Sequence, residues 1–539
     1  GMFNQSPLYP YLLGMLYAVI GPHPPAVAVL QWVIGALLSG GFYLLGRRLD
    51  GRTAGAAAAC LAAVYAPAFF FEGTLLTAAL IHVLGVLLLF AAFRAGTRAR
   101  DWILPGVLAG LAVLARPNAV LLGPVLVLWL FLRFRRRGTP TWLTPSLVLA
   151  VTALLVVAPL TIRNAVVLGE FIPTVPTGPL NFYLGNVENA ADRVLPEGKP
   201  GLTTTGFADD FRAAARRRLG RDVSYAESGA YWFGRALEEI AARPGRWVRE
   251  LWRKFQGFWN RYENASNVSY DLVRDQTPFL RLPWPGFGVI APLAVLGFVV
   301  LRPRRIRAFP LYGWVLVYLL SNMLLFDTAE YRHAALPALI LFAGSGAAWL
   351  YHHARQRRWR MLALAALLAA GGAWFANRRI YPESYHAYTR SYSWFNQAVA
   401  HERRDETAAA AEAFARAREL LPPGRDLTLL FTVAVGEMRN RARLAETPMK
   451  LEMIQETLPA FLNHPVLLDR FAGELVKLGW YDLAEPAARR AVRLAPGVAV
   501  YWLHWAETLH RLGREDEAAA AYRQAVDIDP SLEDSRAGM

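Results

Sequence analysis

An all-α fold is predicted: a polytopic bundle of about ten transmembrane helices followed by a tetratricopeptide-like α-solenoid at the C-terminal end. Three observations predict it. Apolar runs of bilayer length recur up to residue 376, arginines cluster at alternate ends of those runs, and the tail repeats at a period of 34 residues. Composition agrees, since 55% of the 539 residues are hydrophobic and the mean hydropathy is +0.24. A soluble chain of this length averages less apolar than that.

A hydrocarbon core of about 30 Å calls for roughly 20 apolar residues per helix. Such runs fall at 26–46, 54–71, 75–93, 103–116, 118–133, 142–162, 285–301, 309–326, 333–350 and 359–376. The fourth and fifth are short and meet at Arg116-Pro117-Asn118, where proline and its predecessor both disfavour helix. Five turns carry arginine: Arg47, Arg48 and Arg52; Arg94, Arg98 and Arg100; Arg133, Arg135, Arg136 and Arg137; Arg302, Arg304, Arg305 and Arg307; Arg355, Arg357, Arg358 and Arg360. The short loops of the opposite set carry only Arg116 and Arg332. Cytoplasmic loops hold the positive residues, so the arginine-rich side is expected to be cytoplasmic in a bacterial inner or plasma membrane. Residues 1–25 are then the remainder of a first outer loop, and 26–162 and 285–376 are transmembrane helices. Residues 163–284 form a large extracytoplasmic loop, and 377–539 an extracytoplasmic repeat domain. An N-terminus outside the membrane, with no span before it, leaves two readings: residues 1–25 are translocated unaided, or, the favoured expectation, a further helix stands upstream of Gly1.

The net charge of +16 comes from 58 basic and 42 acidic residues. Its placement in short clusters between apolar runs marks membrane loops and excludes a nucleic-acid partner. The single cysteine, Cys60, lies in an apolar run. Intrachain disulfides and cysteine-based metal sites are thereby excluded.

In the tail, segments beginning at Pro465 and Ala499 align at the 34-residue spacing. Ala472 falls on Ala506, Gly479 on Gly513, Ala484 on Ala518, Ala491 on Ala525 and Pro496 on Pro530. Small residues let paired helices approach, and proline stops the second helix, as in tetratricopeptide repeats. A third copy at 391–424 keeps Trp394, Ala398, Ala410, Phe414, Ala417 and Pro422, with Asp405 where glycine is expected. Residues 425–464 read as a degenerate helical pair. Such repeats bind proteins and peptides of many kinds. Within the large loop, 206–220 and 225–263 have helical periodicity. The second stretch carries Trp232, Trp247, Trp252 and Trp259 among Arg246, Arg249, Arg253 and Lys254. It fits a helix lying at the membrane interface and equally one packed on the rest of the loop. The two Asn-x-Ser sequons at Asn264 and Asn267 read as chance.

Ionisable residues at span ends are costly and so are candidates for function. On the predicted outer face stand Glu72, Arg116, Arg163, Asp327, Glu330 and Arg332, with Asn4-Gln5-Ser6 before Pro7-Leu8-Tyr9. Each alone has a bland explanation: Glu72 could complement a helix dipole, and the arginines could reach headgroups. Together they combine a carboxylate with guanidinium groups, whose forked donors match phosphate oxygens. A carboxylate beside them can take a proton from an acceptor hydroxyl. These parts suit a lipid-linked phosphate substrate. No phosphate-cradling glycine loop, zinc-protease motif or nucleotide fingerprint is present.

At the same residues the chain resembles the polyprenyl-phosphate-sugar-dependent glycosyltransferases of the GT-C fold, in the family 39 group of protein mannosyltransferases and aminoarabinose transferases. Ser6-Pro7-Leu8-Tyr9-Pro10-Tyr11-Leu12 resembles the stretch closing that family's first outer loop. Phe71-Glu72-Gly73 resembles its acidic site, and Gly110 through Arg116-Pro117-Asn118 its inter-span turn. Ile162-Arg163-Asn164 and Gly178 through Asn186 resemble the start of its large loop, and Glu330-Tyr331-Arg332 with Pro337 a late-span motif. The resemblance implies a donor of polyprenyl-phosphate-linked sugar and a protein, lipid or glycan acceptor. Glu72 would be a second acidic residue that positions the acceptor or a divalent cation. Arg116, Arg163 and Arg332 would hold the lipid phosphate, and Gln5, Tyr9, Asn118, Asn181, Asn186 and Tyr331 would line the site. The family's catalytic aspartate lies in the first outer loop, which places it upstream of Gly1. Two other classes remain in view: a non-catalytic scaffold gathering envelope proteins through its tail, and a transporter of lipid-linked sugars. An acidic residue after an upstream span would favour the enzyme, whereas polar residues along span interiors would favour the transporter.

Overall fold

A computed structural model describes residues 3–188, 190, 206–422, 426–444 and 462–533, and every regular element among them is helical. Two compact units divide between Ile380 and Tyr381.

The first unit opens with α1 (Leu8–Ile20), α2 (Pro24–Asp50), α3 (Arg52–Ala63), α4 (Ala66–Glu72) and α5 (Thr77–Arg94). There follow α6 (Ile103–Ala115), α7 (Leu122–Phe134) and α8 (Pro140–Leu168). The loop region holds α9 (Thr177–Asn186), α10 (Phe207–Leu219), α11 (Tyr225–Ala242), α12 (Pro244–Trp259), α13 (Tyr270–Gln276) and α14 (Pro278–Arg281). The chain then returns through α15 (Phe287–Val300), α16 (Arg305–Leu324), α17 (Ala329–His333), α18 (Leu336–Arg355) and α19 (Trp359–Asn377).

Among the described residues five helices are long and apolar enough to cross a membrane, or seven if the bent pairs α3–α4 and α15–α16 each count as one span. The expected count of ten is not reached, for three physical reasons: α15 and α16, expected as two spans, form one pair bent by 61°, and two further helices fall short. Helix α6 has only 13 residues, about 20 Å at 1.5 Å per residue, and α18 ends in His352, His353 and Arg355, which shortens its apolar length. The break expected at Arg116-Pro117 is present. Arg116 is extended (φ −148°, ψ 114°), and a 3-10 turn follows from Pro117 to Leu121. Residues 1–25, read from sequence as loop, contain the apolar helix α1.

Helix α18 is the axis of the core. Every residue from Leu336 to Gly346 is buried, the pattern of a helix enclosed on all sides. Its partners reach it through small residues. Gly344 lies against Ala54 and Ala58 of α3, and a methyl group added there would fall 2.7 Å from the Ala58 Cβ. Gly297 of α15 sits on the Phe342 backbone, and Gly346 on that of Leu293. Close backbone approach of this kind replaces the hydrophobic drive that lipid cannot supply between membrane helices.

The stretch expected as one helix over 225–263 is two, because Pro244 cannot continue the ladder of α11. Trp232 turns inward, with its Nε1 donating to the Phe211 carbonyl at 2.9 Å. Lys254 is also buried, and its Nζ donates to the carbonyls of Gly185 at 2.6 Å and Leu325 at 3.0 Å. Burial pushes that ammonium down to about 8. Only Val248 and Trp252 of α12 are large, apolar and exposed. Asn264 is buried, and its amide donates to the Asp327 carbonyl.

The second unit contains α20 (Glu383–Glu402), α21 (Thr407–Leu420), α22 (Leu427–Arg443), α23 (Pro465–Lys477), α24 (Tyr481–Leu494), α25 (Ala499–Arg511) and α26 (Glu515–Ile528). Part of the degenerate pair expected over 425–464 lies outside the described residues. Three helices end identically. Glu406, Trp480 and Arg514 donate their N–H to the carbonyls of His401, Leu475 and Leu509 at 3.0, 2.9 and 3.0 Å. The residue before each has positive φ: +58° at Asp405, +73° at Gly479 and +74° at Gly513. This is the left-handed helix stop, and it explains why Asp405 aligns with two glycines. Asp405→Gly should therefore raise stability by up to ~1 kcal/mol, read as a higher unfolding midpoint of the purified chain.

His504 is bound by Asp469 at 2.9 Å, and that hydrogen bond holds the imidazole above its ordinary value of 6.5. A raised folded value contributes stability below 6.5 that is lost as pH rises through the folded value. Thermal unfolding between about pH 5 and 9 should show this loss, and Asp469→Asn should flatten it.

Candidate functional site

Three polar assemblies meet the ends of α4 and α17. The first is built on α2. The Tyr9 hydroxyl donates to Gln31 Oε1 at 2.9 Å, and Gln31 Nε2 donates to the backbone carbonyls of Glu72 at 2.8 Å and Thr74 at 3.2 Å. Helix α4 ends here, so its last carbonyls need outside donors. Trp32 Nε1 supplies another, to Phe69 at 2.9 Å. Burial pushes the Tyr9 phenol up to about 12, which keeps the hydroxyl a donor. The Glu72 side chain is 8% exposed and rests directly on Gly35, where a Cβ would overlap its carboxyl group. Its carboxylate has no cation and no hydrogen-bond donor among the described residues.

The second assembly is Arg116 with Glu330, a buried ion pair. Glu330 Oε2 also accepts from Ser266 at 2.8 Å, and the Arg116 guanidinium lies over the Tyr331 ring at 4.5 Å. Arg116 Nε remains buried without a partner, as does Asn118 Nδ2 two residues on.

The third is Arg332, which is 4% exposed. It pairs with Glu263 at 2.7 Å, donates to the carbonyls of Phe258 at 3.2 Å and of Asn260, and lies over Phe287 at 3.9 Å. Burial pushes the Glu263 carboxyl up, opposed by the Arg332 charge. A small cleft lined by Phe70, Phe71, Glu263, Ser266, Tyr270 and Glu330 lies between the second and third assemblies. Behind it the rings of His82 and His333 stand 4.9 Å apart, with His82 Nδ1 and His333 Nε2 unpartnered.

The structure thus connects Tyr9 to Glu72, and Arg116 to Tyr331. Others of the expected set stand differently. Gln5 is exposed and Asn181 half-buried. Arg163 lies over Phe3 at 4.2 Å and donates to Asn164 at 3.2 Å. Asn186 is a structural clip: its amide donates to Phe182 and Leu324, both at 2.8 Å, and its Oδ1 accepts from Trp247 at 2.8 Å. Arg332 binds protein groups where a phosphate ligand was expected, because the loop it holds presents carbonyls on every side. Gln31, Gly35, Glu263, Ser266, His82 and His333 were not foreseen. Only the histidines carried a signal, as ionisable residues within predicted spans, His82 inside 75–93 and His333 at the start of 333–350. Among the described residues no group of three or more His, Cys, Asp or Glu side chains forms a metal-ligand set.

Fold and site define a helical membrane protein with a buried acidic and guanidinium site and a repeat tail. Residues 4–162 match the family profile described as dolichyl-phosphate-mannose-protein mannosyltransferase. That stretch, which contains Gln5, Tyr9, Glu72, Arg116 and Asn118, is the part of the chain similar to that glycosyltransferase family. Residues 499–532, spanning α25 and α26, match the tetratricopeptide repeat. A comparison with curated proteins gives no match. Among solved structures, the chain is similar to an Archaeoglobus fulgidus oligosaccharyltransferase tethered to an acceptor peptide, at 15% identity and TM-score 0.37, over 84% of this chain and 50% of that one. The apo form of that enzyme gives 14% identity, TM-score 0.37 and coverages of 72% and 50%. Its complex with an inhibitory peptide and a dolichol-phosphate gives the same four values. The chain spans about half the length of these structures.

Removing one member of a buried ion pair strands the other charge. Glu263→Ala and Arg332→Ala should each cost ~3–5 kcal/mol of stability, and the double variant clearly less than their sum. A double-mutant cycle on unfolding midpoints measures this, and additive losses would exclude the pairing.

Proposed function

We propose that the protein transfers a sugar from a polyprenyl-phosphate-linked donor to an acceptor at the extracytoplasmic face, with the arginine-rich ends of its spans in the cytoplasm. The observation that carries this reading is the Glu72 carboxyl group, which is buried, unpaired among the described residues and seated on Gly35, in a residue whose backbone carbonyl is tied through Gln31 to Tyr9. An unpaired carboxyl group in an apolar bundle costs stability and is retained where it acts. It lies within the stretch that matches the mannosyltransferase family, which supports glycosyl transfer as the action.

In this mechanism Glu72 orients the acceptor. Arg116 faces the donor phosphate, because its Nε is unspent and Glu330 can release part of its fork. Asn118, whose buried amide nitrogen has no partner among the described residues, and Tyr331, whose ring underlies the Arg116 guanidinium, attend the same phosphate, and Arg163, which is half-buried, meets the lipid carrier. Polyprenyl phosphate is the leaving group, and the guanidinium charge stabilises it as the glycosidic bond breaks. The tail repeats recruit a protein acceptor or partner.

The test is transfer from a polyprenyl-phosphate sugar by the purified full-length protein in proteoliposomes. Glu72→Gln should lower the rate about a hundredfold through misplaced acceptor, with the unfolding midpoint held or raised. Undiminished transfer in that variant would remove Glu72 from the site.

A further inference from the structure

At the opposite ends of the spans from Glu72, α2 and α5 finish side by side. Arg47 and Arg48 lie in the last turn of α2 and Arg94 in that of α5. Between them is a cavity of about 270 Å³, walled by Leu44, Leu45, Phe90 and Phe93 and rimmed by those three arginines. The Arg94 guanidinium lies over the Phe90 ring at 5.3 Å. None of the three has a carboxylate partner among the described residues. The two nearby aspartates are engaged: Asp50 pairs with Arg304 at 3.2 Å, and Asp101 accepts from the Gly96 N–H at 3.2 Å. Further positive charge stands close, since Arg48, Arg137 and Arg307 all act on Arg133.

An arginine rim satisfied by water alone would need no apolar floor. A cavity that joins cationic donors to leucine and phenylalanine walls fits a ligand with a phosphate at one end and hydrocarbon at the other. Basic pockets between membrane helices bind lipid head groups in this way, and the guanidinium fork matches phosphate oxygens. We infer that this cavity is a binding site for an anionic phospholipid of the leaflet at the arginine-bearing ends. Its phosphate is held by Arg47, Arg48 and Arg94, and its acyl chains lie along Leu44 and Phe90. The site is separate from the proposed sugar-transfer site and does not depend on it.

Native mass spectrometry of the purified full-length protein tests this with four probes: phosphatidylglycerol, phosphatidylcholine, a polyprenyl phosphate and inorganic phosphate. Phosphatidylglycerol should remain bound, phosphatidylcholine should not, and equimolar inorganic phosphate should not displace the lipid. Combining Arg47→Gln, Arg48→Gln and Arg94→Gln should weaken phosphatidylglycerol binding about a hundredfold, at ~1 kcal/mol per arginine near the surface. Removing three arginines elsewhere on the same side, by Arg355→Gln, Arg357→Gln and Arg358→Gln, should leave binding unchanged. Equal binding by the first triple variant and the unsubstituted protein would overturn the site. So would preferential retention of the polyprenyl phosphate, which would make the cavity a carrier site, or displacement by inorganic phosphate. If the triple variant does not fold, the unsubstituted protein's choice between phosphatidylglycerol and phosphatidylcholine decides, and no preference refutes the inference.

Discussion

Arg332 fastens the large loop to the helical bundle, and the geometry of the candidate site follows from that attachment. A guanidinium so fully enclosed must find partners for its charge and its donors. It finds Glu263, the carbonyls of Phe258 and Asn260, and the face of Phe287. The loop from Trp259 to Ser266 is therefore drawn onto α17, which brings Ser266 to Glu330 and Glu330 to Arg116. Asn264 completes the fastening, since Ala329 donates its N–H to the Asn264 carbonyl at 2.8 Å.

Glycine sets the other half of the arrangement. At Gly297, Gly344 and Gly346 the missing side chains let α15, α18 and α3 pack backbone to backbone. At Gly35 the missing side chain makes room for the Glu72 carboxyl group. The first three positions serve cohesion, because neighbouring helices in lipid gain mainly from close packing. The fourth shelters a carboxylate that has no counter-charge. A bundle held this tightly can carry such a destabilising group, and polar residues that weaken a fold are expected where it functions.

The two ends of the bundle differ in how they treat charge. Around α4 and α17, acids and arginines are buried and few: Glu330 and Arg332 are paired and, among the described residues, Glu72 is not. At the ends of α2 and α5, arginines are exposed, clustered and unopposed. The first pattern confines the site proposed for sugar transfer, and the second sets the charge from which the anionic-lipid site is inferred.

Much of this was legible in the residues themselves. Apolar runs and arginine placement gave the helical membrane body, because the requirement to satisfy backbone groups in lipid leaves helices as the local solution. The 34-residue period gave the repeat tail, down to the aspartate that occupies a glycine's backbone conformation at 405. Glu72 and Arg116 were singled out because ionisable residues at membrane depth are rare, and Tyr9 through the family resemblance of the stretch from Ser6 to Leu12. Only the tertiary structure decided what each one does. Arg116 and Arg332 look alike in sequence, yet one keeps an unspent donor and the other gives its fork to a loop some 70 residues away. The same applies to Asn186, which clips α9 to α12 and α16, and to Gln31 and Gly35, which no local pattern distinguishes. Backbone regularity follows from near neighbours and solvent, whereas the partner of a buried charge is set by which distant segments the packing brings within hydrogen-bond reach.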